Sequence, residues 1–134
     1  MRTGKTDARN LGFTLLELMV VIAIITILLG MAAMRYQRTQ LQAKEAVLKY
    51  DLRIMRQAIE QYTMDKLAAP QSLDDLVGTY VREIPVDPIT QRKDWKPVTD
   101  DVLLTPDQTI SGITDVHSAS EATSPNTNTP YSTW

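Results

Sequence analysis

The apolar positions of this chain are concentrated at one end. Between residues 13 and 34 the only charge is Glu17, and Leu18 begins an uncharged run that lasts to Met34. Wound as a helix at about 1.5 Å per residue, the stretch is about 33 Å long, enough to cross the hydrocarbon of a bilayer. A helix inside a small domain keeps a polar face, and this one has none. It contains no proline. The segment reads as membrane-inserted.

Beyond Met34 the pattern changes without a break. Leu41, Leu48, Leu52, Met55, Ile59 and Tyr62 follow at intervals of 7, 4, 3, 4 and 3. Those intervals trace one helical face. Lys44, Glu45, Lys49, Arg53, Arg56, Gln57 and Glu60 fill the other faces and read as a solvated surface. No Pro or Gly falls between Met31 and Ala69. The spacing predicts one helix over 13–66, about 80 Å long. Its first part, 13–34, is apolar all round, and its second, 35–66, is amphipathic. The apolar stripe is core packing, not a set of cofactor ligands.

Residues 67–134 predict a small head. Ser72 with Asp75 three residues on resembles a capping box, opening a short helix closed by Gly78, with Leu73, Leu76 and Val77 toward the long helix. Residues 80–88 read as extended, and Asp87-Pro88-Ile89-Thr90 as a turn. Strands near 95–98 and 112–117 are expected to pair antiparallel, with an irregular loop over 100–109. Residues 118–134, rich in Ser, Thr, Asn and Pro, read as a loop or partly disordered tail. Tyr131 and Trp134 are placed to dock its end.

Composition narrows the function. The chain has 134 residues, a net charge of −2, no cysteine and one histidine. That length fits one modest domain. A balanced charge argues against nucleic-acid binding, so no nucleic acid is expected as a partner. One histidine without cysteine leaves little for zinc. No Ser-His-Asp set, phosphate loop or metal cluster is present, so an enzyme is not expected. His117 reads as a surface or strand residue.

Ahead of the apolar run, Arg2, Lys5, Arg9 and the α-amine outweigh Asp7. Such a flank stays cytoplasmic, although Arg35 and Arg38 on the far side reduce the asymmetry. A secretory signal cut near Gly30–Ala33, a plain single-span anchor and a membrane-anchored interaction protein are the bland readings. None accounts for Glu17. An acidic residue at the centre of a membrane helix costs about 2.5–3.5 kcal/mol, less near its end, and it seeks a partner. A cut between Gly12 and Phe13 would supply one. Phe13 would carry a free amine, and Glu17 would be the fifth residue of the mature chain.

Gly12-Phe13-Thr14-Leu15-Leu16-Glu17-Leu18 resembles the prepilin signal of type IV pilins and of the major pseudopilins (G-type) of type II secretion. The resemblance implies that a prepilin peptidase removes 1–12 and N-methylates Phe13. It implies that Glu17 pairs with the Phe13 amine of an adjacent subunit. It implies a pilin fold of class α+β: a long N-terminal helix on a small antiparallel sheet, with a loop-rich C-terminus. The expected location is the bacterial inner membrane, single-pass, leader cytoplasmic and head periplasmic. The implied partners are further copies in a helical filament, minor pseudopilins, and an assembly platform with its secretion ATPase. The expected function is a pseudopilus subunit driving protein export, with a surface pilin as the alternative. Absence of cysteine and a compact head favour the former. Many family members carry Gly and Pro where Thr26 and Met34 stand here, so only Gly30 is left to loosen the helix.

The resemblance also raises calcium. Major pseudopilins commonly hold this ion in a C-terminal loop, and Asp115, Ser118 and Glu121 are the matching candidates. Calcium asks for 6–8 oxygens, several of them carboxylate. Only Asp115 and Glu121 are acidic in this stretch, and no Asp-Gly turn is present. The stretch reads as an ordinary polar loop ahead of a cation site, and otherwise no cofactor is expected.

Overall fold

A computed structural model describes residues 12–105 and 108–134. Residues 1–11 of the expected leader lie outside them. Helix α1 spans Leu15–Lys66, strand β1 spans Lys96–Thr105 and strand β2 spans Gln108–His117. Two 3-10 turns, Leu73–Leu76 and Tyr131–Thr133, complete the regular structure. The protein is α+β, with a long N-terminal helix and a two-stranded antiparallel sheet. Two compact units divide it, and the boundary falls between Gln40 and Leu41, inside α1.

In the first unit α1 starts as a helix should. Thr14 Oγ1 accepts from the Glu17 amide at 3.1 Å, satisfying one of the orphan donors of the first turn. Thr26 adds no break, since its hydroxyl donates to the Ile22 carbonyl one turn back at 2.7 Å.

In the second unit the apolar stripe of α1 makes the core. Leu48, Leu52, Met55 and Ile59 are buried and Tyr62 packs beside them. They meet Leu76, Val81, Ile84, Trp95, Ile113, Val116 and Tyr131. Each buried Leu or Ile contributes about 1.5–3 kcal/mol by leaving water. The helix stops at Lys66 because Leu67 turns left-handed at φ 49°.

Ser72 closes the expected capping box. Its hydroxyl accepts from the Asp74 amide at 3.2 Å, and the Asp75 carboxylate accepts from Ser72 and Gln71 amides at 2.9 and 3.0 Å. Gly78 follows at φ 91°. Leu76 is fully buried, but Val77 is exposed and does not face α1. Asp87 caps its turn through Oδ1, which accepts from the Ile89 and Thr90 amides at 2.7 and 3.3 Å.

A further expectation fails. The stretch 100–109 is not an irregular loop. Over its described residues it continues both strands, with Asp100 opposite Gly112, Asp101 opposite Ser111 and Val102 opposite Ile110. Asp-Asp is poor strand sequence. The ladder forms because the facing strand pairs with it along this stretch, and because both carboxylates stay in water. The tail is a loop, as expected, and it is held in place. Residues 118–134 fold back through Ser118, Ser124 and Tyr131, all buried.

Strand β2 lies close to the chain after α1. The Ile113 amide donates to the Pro70 carbonyl at 2.8 Å. A Cβ on Gly112 would stand 2.6 Å from Ala69 Cβ and 2.9 Å from the Pro70 oxygen. Only glycine lets the strand approach this far.

Candidate functional site

The N-terminal end of α1 is the first candidate. Phe13 is 85% exposed, and Leu15, Leu16, Leu18 and the apolar residues that follow to Met34 are all exposed as well. The most apolar stretch of the helix has a mean hydropathy of 2.7 and no buried residue. This length and composition suffice to cross a membrane. Glu17 sits in the first turn, where the helix dipole favours an acid. It has no ion-pair partner among the described residues. Gly12 is exposed, and nothing within 4 Å would meet a Cβ there. Bare apolar surface of this extent calls for cover from outside the single copy.

The prokaryotic N-terminal methylation motif family matches residues 7–33. The type II secretion system core protein G of Pseudomonas aeruginosa is 33% identical over 94 residues, 58% of this chain and 66% of that protein. The type IV major pilin protein PilA of Myxococcus xanthus is 36% identical over 66 residues, 49% of this chain and 30% of that protein. The chain carries the N-terminal methylation motif and is similar to type IV pilins and to type II secretion pseudopilins. It spans just under two thirds of the length of the first of these relatives and under a third of the second. No solved structure matches it closely.

This pilin-like chain has a second polar centre, which sequence reasoning missed. Glu45 is only 6% exposed. Its Oε1 accepts from Ser124 Oγ at 2.6 Å and Tyr131 Oη at 2.8 Å, and its Oε2 accepts from Asn126 Nδ2 at 2.8 Å. Burial pushes the carboxyl up. The three hydrogen bonds and Lys49 outweigh burial and hold it below its usual 4.5. Tyr131 is pushed up to about 12, by burial and by Glu45. One turn on, the Lys49 ammonium lies 4.5 Å from the centre of the Trp134 ring. Arg56 reaches Asp115 Oδ1 at 2.5 Å and the main-chain oxygens of Trp134 and Val116 at 2.8 and 3.1 Å. Three residues read as solvated therefore tie α1 to residues 115–134. A signal was present. Leu41 and Leu48 are separated by 7 in a stripe otherwise stepping by 3 and 4, and Glu45 fills the vacant place.

The three calcium candidates point to three different partners. Asp115 pairs with Arg56 and lies 3.5 Å from His117 Nε2. The Ser118 hydroxyl donates to the buried Asp87 carboxylate. Glu121 lies 3.8 Å from Lys96 Nζ. Among the described residues no group of three acids or histidines converges. Asp51 is half-buried, and burial and the charge of Asp87 push its carboxyl up.

Proposed function

We propose that this chain is a structural subunit of a type II secretion pseudopilus. In this reading it assembles from the inner membrane into a periplasmic filament that drives protein export. The observation that carries it is the apolar helix, exposed on all sides and headed by Gly12, Phe13 and Glu17. Prepilin peptidase removes 1–12 and methylates Phe13. Leaving lipid costs little when neighbouring copies offer equivalent apolar packing. Glu17 then meets the Phe13 amine of the next copy, and each charge gains the partner it lacks alone. The role is structural rather than catalytic. Minor pseudopilins and an assembly platform with its ATPase are the partners this implies. The match to a type II secretion core protein over 66% of that protein's length supports the pseudopilus.

A surface fibre is the second reading, favoured by 36% identity to a type IV major pilin over 66 residues. Deleting the chain separates the two. Loss of exported proteins from the medium supports the pseudopilus, and loss of surface fibres with export intact supports the pilus. For either reading, Gly12→Ala leaves the leader attached, seen by mass. Normal processing of that variant would overturn the prepilin assignment. Glu17→Ala keeps membrane insertion and lowers filament yield, and an unchanged yield would remove the pairing role.

A further inference from the structure

Strands β1 and β2 extend beyond what the core uses. Asp100 and Asp101 are exposed, and Leu103 is 72% exposed. Asp101 and Leu103 are two apart, so they stand on the same side of β1. They face Ser111 and Thr109 across the ladder. Neither Asp100 nor Asp101 has an ion-pair partner among the described residues. The arm therefore presents an acid beside a bare leucine.

On the helix, an open groove of about 630 Å³ carries more cations than acids. Lys49, Arg53 and Arg56 line it against one acid, Glu60, with Leu52 and Trp134 as the apolar part. Arg56 is held by Asp115 and Lys49 lies over the Trp134 ring. Arg53 is exposed and has no ion-pair partner among the described residues.

The arm does not fill its own groove. Asp101 is paired with Ser111, whose carbonyl accepts from Gln71, past the end of α1 at Lys66. Arg53 lies about 20 Å back along the helix from Lys66, at about 1.5 Å per residue. Two complementary surfaces at different levels of one chain satisfy each other only between copies. Such a contact is head-to-tail, and where its rotation does not close into a ring it propagates along a filament.

We propose that the occupant of this groove is the β1–β2 arm of a second copy, with Asp101 on Arg53 and Leu103 against Trp134. The proposal rests on the filament reading and adds to it a contact outside the apolar helix. Its role is to set the register between neighbouring copies.

The native chain has no cysteine, so a cysteine pair reports the contact without background. The full chain carrying both Arg53→Cys and Asp101→Cys is assembled in membranes and oxidised. A ladder of dimers, trimers and longer species is expected, and neither single-cysteine chain gives one. Filaments of the double variant without a ladder overturn the docking and leave the filament reading standing. A single-cysteine chain that dimerises equally well also overturns it, because the contact is then two-fold. Absence of filaments from the unaltered chain overturns the filament reading, and this proposal with it. Charge exchange gives an independent arm. Arg53→Glu lowers filament yield by about tenfold, since like charges brought together across an interface cost at least one such step. Adding Asp101→Arg restores the yield. Failure of that second change to restore it overturns the pairing.

Discussion

Residues 15–40 and residues 41–66 share one unbroken helix, yet they are built for different surroundings. In the first stretch the large apolar side chains are exposed and no residue is buried. In the second, Leu48, Leu52, Met55 and Ile59 are buried by partners from the same copy. Backbone hydrogen bonding is alike in both. The difference lies in where the apolar surface finds its cover. The second stretch is stabilised within the chain, and the first draws its stability from lipid or from neighbours. The acids follow the same division. Glu45 meets three donors inside its own copy, whereas Glu17 meets no cation among the described residues.

The largest test applies one substitution to both stretches. Leu52→Ala should lower the stability of the full chain in detergent by about 2–5 kcal/mol, since it opens a cavity in a packed core. Leu28→Ala should leave the thermal midpoint of residues 41–134 unchanged and show its effect in membrane or filament partition. Equal effects on that midpoint would erase the contrast.

Glu45→Ala should come next, costing about 1–3 kcal/mol, because the buried Ser124 and Tyr131 hydroxyls lose their acceptor. Its pH dependence sharpens the point. The folded carboxyl sits below its usual 4.5, so its stabilisation is fully present above that value. It is lost as pH falls through the folded value. Thermal midpoints of the native chain should therefore fall more steeply in acid than those of Glu45→Gln.

Gly112→Ala should cost about 1–3 kcal/mol by forcing β2 away from Ala69 and Pro70. Loss of amide protection at Ile113 would locate the damage, and unchanged exchange there would count against it. The smallest effect belongs to Leu67. It is an exposed residue in the left-handed region, so Leu67→Gly should raise stability by up to about 1 kcal/mol in chemical denaturation.

Much of this was legible in the sequence. The helix was expected over 13–66 and spans Leu15–Lys66, because apolar periodicity without Pro or Gly leaves few alternatives. The capping box at Ser72 and the Asp87 turn were local signals with local causes. Glu45 was less visible because charge was weighed before position. Its place in the stripe was the better guide, and its donors lie about 80 residues on. Strand residues 100–105 were hidden by Asp100 and Asp101, whose poor β propensity is overridden by pairing with β2. The order of residues 118–134 was hidden for the same kind of reason. Polar sequence looks disordered until the buried acid that organises it is known.

The Glu45–Tyr131 contact spans 86 positions. A polypeptide is made from its N-terminus, so Glu45 exists long before any of its three donors. Until Ser124, Asn126 and Tyr131 have been added, that carboxylate has only water to donate to it in their place. An interrupted product stopping short of those positions lacks Tyr131 from the core and leaves Glu45 without its three donors.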